Sequence, residues 1–520
     1  MTSVAAAPTP PPPLALNRKR TVAYFLYHLR MLPTAYDGLD TNRMTALYFC
    51  LSALDLLSAL GHLEQPKEHI IEWIYSLQVL PTLPTVNAVG EGGEERAGAG
   101  VPTLPTVNAV NERGGREERE EREGAGEDVQ WETGANRTSE AGTGGGAAGE
   151  GTADSSAGIP AVASGDTSTT ADASATAAAS WRRRLSPHPS AAFASDPACR
   201  DCGFIGSAFM GGERFDPATG AAVPDTAKGA VHGHIAMTYT ALASLLILGD
   251  DLERVAREPI LRAVRQLQQE DGRFVAHHRG GESDCRFLYC ACAVAFMLGG
   301  VRTHMDVGAM RRYVGACVHG YDGAIGLIPG QESHGGACYT AVAGIGLCAE
   351  ALGEALDVES DDIGLLEGAF AQWCLSRQVG GWSGDAGAGG FQGRVNKVAD
   401  TCYTFWVLGA LQVLDRGKLQ GDSGGSGAKG SSVEWLGMYD ADAIRSFLLD
   451  KDSGTHDHLR GGFGKISGAL PDVLHSYYGV CGLALIGREE DAILPLDASL
   501  SISQRARSWL KEVQVRRGWV

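Results

Sequence analysis

Apolar residues recur at helical spacing in six stretches: Thr45–Leu60, Ile235–Leu248, Phe287–Leu298, Tyr339–Leu352, Thr401–Leu414 and Leu474–Ile486. The alternation that marks strands is scarce. Each of the last five stretches follows a glycine-rich turn that carries an aromatic or aliphatic residue. These turns are Cys202-Gly203-Phe204, Asp271-Gly272-Arg273-Phe274, Asp322-Gly323-Ala324-Ile325-Gly326, Gly389-Gly390-Phe391 and Gly461-Gly462-Phe463. Glycine permits the sharp return with φ > 0. A recurrence of roughly fifty to seventy residues predicts stacked helix pairs. The helices are apolar with polar residues at their turn ends, which favours a closed α/α barrel with a site at one mouth over an open solenoid. The predicted class is all-α.

Between about Pro81 and Pro197 the text changes to Gly, Ala, Ser, Thr and Glu. The string Pro-Thr-Leu-Pro-Thr-Val-Asn-Ala-Val occurs at Pro81–Val89 and again at Pro102–Val110, and a charged run covers Glu112 to Glu123. Such text buries too little apolar surface to order itself. The predicted organisation is a disordered N-terminus over 1–18, first helices of the barrel over 19–80, a disordered low-complexity insertion over 81–197, and the remainder of the barrel with the site over 198–520.

A net charge of −18 over 520 residues argues against nucleic acid as the main partner. The Ala- and Pro-rich start, Met1 to Leu16, has no basic segment leading into an apolar core, so no signal peptide is expected. No run of about 18 apolar residues predicts a spanning helix. Twelve cysteines, most of them in apolar helical text, read as reduced core residues in a cytoplasmic protein. Cys199-x-x-Cys202 has no second pair nearby and reads as chance.

Chemistry concentrates in Arg394-x-x-Lys397-x-x-Asp400-x-Cys402-Tyr403. Asp400 alone reads as a helix N-cap and Cys402 alone as core. With a third ligand they become a metal site, and His475 stands at the same place one repeat later. One O, one S and one N ligand leave a position open, the pattern of catalytic zinc. An open zinc binds and deprotonates a thiol, which is then a nucleophile at neutral pH. Arg394 and Lys397 precede the helix, His334 lies one repeat earlier, Tyr403 follows Cys402, and Lys465 sits in the final glycine turn. Taken singly, Arg394, Lys397 and Lys465 read as solvated loop charges. Together these five suit an anionic leaving group such as diphosphate.

These residues, with Gly233-His234-Ile235-Ala236-Met237-Thr238-Tyr239-Thr240, Ile247-Leu248-Gly249-Asp250-Asp251-Leu252, Arg286-Phe287-Leu288-Tyr289-Cys290-Ala291 and Glu332-Ser333-His334-Gly335-Gly336, resemble the β subunits of the protein prenyltransferases, most of all the type I geranylgeranyl branch. The likeness runs from about Val22 to Trp73 and from Cys202 to Val520. It implies an α/α toroid. It implies zinc on Asp400, Cys402 and His475, and diphosphate on His334, Arg394, Lys397 and Tyr403. It places Glu282, Arg286 and His234 near the carboxylate of a peptide substrate. It also implies an obligate α subunit that donates a lysine. The activity implied is transfer of a geranylgeranyl group from its diphosphate to the thiol of C-terminal Cys-a-a-X motifs, X usually Leu, on proteins such as small GTPases.

Three positions separate the branches of that family. Thr45, in Arg43-Met44-Thr45-Ala46-Leu47-Tyr48-Phe49, stands where the farnesyl enzyme closes its pocket floor with Trp, leaving room for a twenty-carbon chain. Lys465 stands where the other branches place a magnesium-binding Asp, so magnesium is not required. Leu474 replaces a farnesyl-branch Tyr. Two departures from the type I pattern stand beside these. Val395 and Val398 replace prolines, so the cationic loop is less pre-set, and Tyr478 replaces Phe, as in the farnesyl branch. A farnesyltransferase β subunit or a dual-lipid enzyme is the near alternative. A non-catalytic toroid scaffold is a more distant one. A terpene-cyclase reading lacks an Asp-x-Asp-Asp motif.

Overall fold

The computed structural model describes residues 14–34, 36, 41–81, 198–207, 213–215, 222–224, 232–380, 387–421 and 435–520. Fourteen α-helices are present among them: α1 Arg18–Arg30, α2 Arg43–Leu56, α3 Lys67–Ser76, α4 Ile235–Leu248, α5 Arg257–Leu267, α6 Cys285–Met297, α7 Val301–His304, α8 Val307–Cys317, α9 Gly335–Leu352, α10 Glu367–Leu375, α11 Thr401–Gly421, α12 Ala441–Leu449, α13 Val473–Ile486 and α14 Gln504–Arg517. Strands among the described residues are short pairs only. All six predicted helices form, most of them starting one to four residues earlier than the apolar pattern suggests. The added residues are Arg43-Met44, Cys285-Arg286, Gly335–Cys338 and Val473, first-turn residues outside the quoted apolar stretches.

Six helices pack in a ring, α2 on α4, α4 on α6, α6 on α9, α9 on α11, α11 on α13, and α13 back on α2. Six others back them from outside: α1 on α2, α3 on α4, α5 on α6, α8 on α9, α10 on α11 and α12 on α13. The expected closed α/α barrel is therefore the fold. Inner helices are buried almost all round because neighbours cover both flanks and the outer layer covers the back. Outer helices keep one wet face; in α5 only Ile260, Leu261, Ala263, Val264 and Leu267 are buried. By length and apolar composition alone α9 could cross a membrane, against the sequence expectation. As an inner helix of the ring it is 72% buried within the protein.

Five of the six ring helices begin with a side-chain cap, Asp400 serving α11 by accepting from the Cys402 amide, whereas Asn42 ahead of α2 makes no such bond. His234, Asp284, His334 and Asp472 accept from backbone N–H groups of their own first turns. The first turn is also tied to the next repeat. The amides of Met44, Ile235, Cys285, Gly335 and Thr401 donate to the carbonyls of Gly206, Ala276, Leu327, Gly393 and Lys465, at 2.8–3.1 Å. Each acceptor lies in the turn that leads to the following ring helix.

In its second turn each ring helix contributes one residue to a collar of Tyr48, Tyr239, Tyr289, Tyr339, Phe405 and Tyr477. The segment 498–501 sits against it. Tyr48 and Tyr477 donate to the Ser501 carbonyl, Tyr239 to Leu500 (2.8 Å), Tyr289 to Ser499 (3.0 Å) and Tyr339 to Ala498 (2.7 Å). Two short strands, Leu496–Asp497 and Ile502–Ser503, pair to hold this segment.

Strand Gln78–Val79 pairs antiparallel with Gly203–Phe204, so the described chain on either side of 82–197 meets at one ladder. Most of the predicted insertion and most of the predicted disordered N-terminus lie outside the described residues.

The collar predicts a measurable stability term. Replacing Tyr339 by Phe strands the Ala498 carbonyl and removes the partner of the Ser501 hydroxyl. It should destabilise the protein by about 1–3 kcal/mol. Urea unfolding of the purified protein measures this, and a change under about 0.5 kcal/mol would show that the collar does not bear on stability.

Candidate metal and anion site

The start of α11 and the start of α13 meet at one point of the ring mouth. Asp400, at the head of α11, accepts from the Cys402 amide (2.9 Å), which sets its carboxylate beside the Cys402 side chain. His475 projects from the first turn of α13. One ligand atom from each of Asp400, Cys402 and His475 lies within 4.8 Å of the others, and all three residues are buried. No other such group occurs among the described residues.

His475 is oriented by Asp472, whose two oxygens take different hydrogens. Oδ1 accepts from the His475 amide (2.9 Å) and Oδ2 from Nδ1 (2.6 Å). That leaves Nε2 turned to Asp400, 3.3 Å from its Oδ1. A carboxylate behind a ligating imidazole fixes its tautomer and raises its basicity. Asp472 has no place in the sequence analysis. Its signal was its place three residues ahead of His475 at a helix start.

The electrostatics fit a cation. Burial pushes the Cys402 thiol up to about 12, with Asp400 adding to it. Burial would also raise Asp400, but the hydrogen bonds from His475 and Cys402 outweigh it and hold the carboxyl below its usual range. Burial opposes charge on His475, yet Asp400, Asp472 and Cys402 together raise it well above an ordinary imidazole. A carboxylate, a thiol and an imidazole buried together satisfy one another only around positive charge. A proton can supply it, and so can a metal ion. The donor set therefore fits a metal of zinc type.

On the neighbouring ring helix, His334 caps α9 by accepting at Nδ1 from the Gly336 and Ala337 amides (3.0 and 3.3 Å). Its Nε2 lies 2.9 Å from the Tyr403 hydroxyl. With Nδ1 an acceptor, the neutral ring carries its proton on Nε2 and donates to Tyr403, leaving the phenol hydrogen free for a bound anion. Burial, then Arg394 and Arg286, push His334 down to about 4. Burial keeps Tyr403 a phenol. Gly393 lies flat against the Tyr403 ring, where a Cβ would overlap Cζ.

The cations stand at the rim. Arg394 is ion-paired with Glu332, a partner that the sequence reading did not foresee. Lys397 and Lys465 are exposed, and neither has an ion pair with another described residue. Asn396 takes a left-handed conformation (φ 61°), and Gln392 pairs with Ala399 to close the loop. The turn that prolines were expected to pre-set is made by Asn396, with Val395 and Val398 pointing to solvent.

The remaining predicted residues fall into two groups. Arg286 is clamped by Asp284 (2.7 Å) and Glu282 (3.0 Å), and His234 packs edge-on to Phe287, ring centroids 5.9 Å apart. Asp284 was missed; it is also the N-cap of α6, which hid its second contact. Burial, then His277 and His232, lower His234 to about 4. Phe49 and Tyr478 belong to an aromatic cluster in which Tyr478 stacks on Phe405 (5.0 Å) and lies 4.4 Å from Trp406. Thr45 is on α2 with its hydroxyl toward the Met237 sulfur (3.5 Å), and Leu474 is half-buried on the first turn of α13.

With this geometry in place, likeness to known proteins becomes informative. The prenyltransferase alpha-alpha toroid domain matches residues 16–111 and 168–502, and the chain belongs to that family. The geranylgeranyl transferase type-1 subunit beta of Arabidopsis thaliana is 38% identical over 52% of this chain. That match spans 62% of the plant protein's length. The subunit of the same name from Dictyostelium discoideum is 25% identical over 96% of this chain and 99% of its own length. Among solved structures, Candida albicans protein geranylgeranyltransferase-I complexed with GGPP superposes with a TM-score of 0.57 at 17% identity. That match covers 96% of this chain and 99% of the other, and it supports the toroid fold.

Three histidines, two at the site and His456 buried in the turn that leads to α13, predict a pH dependence. His334, His234 and His456 are each held near 4, below the ordinary 6.5. Between those values the unfolded chain binds more protons at these three sites, so their contribution to stability is complete above pH 6.5 and falls as pH drops toward 4. Urea midpoints across that range should decline, and His334→Gln should flatten part of the decline. An unchanged slope in that variant would show that His334 does not titrate in this way.

Proposed function

We propose that this chain is the catalytic β subunit of a protein geranylgeranyltransferase of type I. It acts in the cytoplasm in complex with an α subunit, on geranylgeranyl diphosphate and proteins that end in Cys-a-a-X. The observation that carries the reading is the adjacency of two unlike sites. A buried Asp400–Cys402–His475 donor set lies beside a His334–Tyr403 pair, with Arg394, Lys397 and Lys465 at the rim. Twelve free, buried cysteines suit a reducing compartment. The ladder joining Gln78–Val79 to Gly203–Phe204 supports reading 81–197 as an insertion into the toroid, and the break in the family match supports it for 112–167.

Zinc, the metal we assign to the Asp400, Cys402 and His475 ligands, would supply acidification of a bound substrate thiol. The chain's own residues do the rest. Asp472 holds His475 with Nε2 forward. Tyr403, positioned by His334, presents its phenol hydrogen to the leaving diphosphate. Arg394 exchanges Glu332 for phosphate, and Lys397 and Lys465 add charge without needing to leave a partner. The C–S bond forms as the C1–O bond breaks. Diphosphate departs with the electron pair, and the thiol proton passes to solvent. Each rim donor stabilises the charge that builds on that oxygen.

Lipid choice rests on Thr45, whose small side chain on α2 leaves depth in the barrel, and on the Phe49–Tyr478 aromatic wall. Co-expression with a prenyltransferase α subunit, followed by competition between farnesyl and geranylgeranyl diphosphate on a Cys-a-a-Leu peptide, tests the function. The twenty-carbon lipid should win, and Thr45→Trp should shift use toward the fifteen-carbon lipid. A wild-type preference for farnesyl would favour the farnesyltransferase alternative. No transfer of either lipid would favour the scaffold.

Lys465 in place of a magnesium-binding carboxylate makes the metal dispensable. Steady-state rates should not respond to magnesium in the wild-type complex. Lys465→Asp should lower the magnesium-free rate about 10²–10³-fold, as loss of an oxyanion donor does, and restore part of it with added magnesium. Equal magnesium response in both proteins would count against this role.

A further inference from the structure

Five ring helices bind their first-turn amides to the backbone carbonyl of the next repeat's turn. The sixth, α13, faces the seam where the end of the chain meets its beginning. There the Val473 amide donates to the Tyr36 hydroxyl, at 2.9 Å. Tyr36 lies eight residues ahead of Met44, just as Gly393 lies eight ahead of Thr401 and Lys465 eight ahead of Val473. It therefore occupies the acceptor place in its own turn, with a side-chain oxygen doing what a carbonyl does elsewhere. Val473 is 2% exposed, so water does not replace the lost carbonyl. The same first turn holds Asp472, which orients His475, and His475 itself.

We propose that Tyr36 is a positioning residue for the metal site, fixing the first turn of α13 from across the ring seam so that Asp472 and His475 stay in ligand geometry. The phenol reaches where the backbone does not, and its own ring is seated edge-on against His28, centroids 5.6 Å apart. His28 in turn packs on Tyr24 and donates from Nδ1 to the Tyr24 carbonyl (2.9 Å). Through these contacts α1 and its following turn, 437 residues away in sequence, set the geometry of a ligand on α13. The proposal rests on the metal reading given above, and the test separates the two.

The full chain is purified with a prenyltransferase α subunit, stripped with a chelator and titrated with cobalt(II), following the thiolate-to-metal band. Zinc affinity is then read by competition with a chromogenic chelator. Tyr36→Phe, which deletes only the hydroxyl and with it the acceptor for Val473, should weaken metal binding about tenfold, the usual scale for a residue behind a ligand. Tyr339→Phe, which weakens the fold at the collar, should leave metal affinity unchanged. Metal affinity of Tyr36→Phe within twofold of wild type would overturn the proposal and leave the function standing. A wild-type complex that binds no metal would overturn the zinc assignment instead. In that case amide exchange still decides the seam bond: Val473 should be protected in the metal-free wild type and exchange faster in Tyr36→Phe. If the Phe variant does not fold, an unprotected Val473 amide in the wild type overturns the proposal and a protected one supports it.

Discussion

A ring of helices encloses a central space, and any chain segment placed there carries peptide groups away from water. Segment 498–501 is such a segment, and its four carbonyls are all taken by tyrosine hydroxyls from the ring. Unpaired, each carbonyl would oppose folding by about 1–3 kcal/mol. The collar therefore does two things together. It lets the end of the chain close one end of the barrel, and it fixes the rotation of five ring helices, since each phenol has to point at the same short segment. The sixth ring position is Phe405, which has no hydroxyl and stacks on Tyr478 instead. The ring helices enter the mouth at angles already set by this closed end.

That geometry explains why chemistry gathers at helix starts. The residue that caps a ring helix is also the residue nearest the mouth, so one position serves two purposes. His334 caps α9 with Nδ1 and offers Nε2 to Tyr403. Asp472 caps α13 and holds the His475 ring. Asp284 caps α6 and clamps Arg286. In each case the backbone contact uses one atom and leaves another free. The bond to the backbone rigidifies the group that faces the mouth at no further entropic expense.

Much of the fold was legible because its signals are local. Ring helices announce themselves by apolar spacing, and repeats by glycine turns such as Gly389-Gly390-Phe391 and Gly461-Gly462-Phe463. The triad Asp400, Cys402 and His475 was also legible, since equivalent places in adjacent repeats become neighbours once the ring closes. What stayed hidden was whatever depends on a specific partner. The collar tyrosines looked like ordinary core aromatics, because nothing local says that their hydroxyls converge on residues 498–501. Arg394 looked like a free rim cation, but Glu332 comes from the preceding repeat's loop and holds it. The loss of two prolines looked like a loss of loop order, yet Asn396 in a left-handed turn and the Gln392–Ala399 bridge hold the same loop by other means.

The rim shows how these constraints shape the chemistry of an anion site. A cation that must both attract diphosphate and release it cannot be buried, because an unpaired buried charge is too unfavourable to keep. Lys397 and Lys465 meet this by exposure. Arg394 meets it by pairing with Glu332, a contact 40% and 60% exposed at its two side chains and so weak enough to exchange. The neutral groups lie deeper: burial keeps both His334 and Tyr403 uncharged, so they give directional hydrogen bonds where a formal charge would be expensive. On the proposed function, charge at the edge and dipoles within would form a gradient for the anion, ending beside the Asp400–Cys402–His475 cluster. In this chain, then, the depth of each group below the rim decides whether it acts as a charge or as a hydrogen-bond donor.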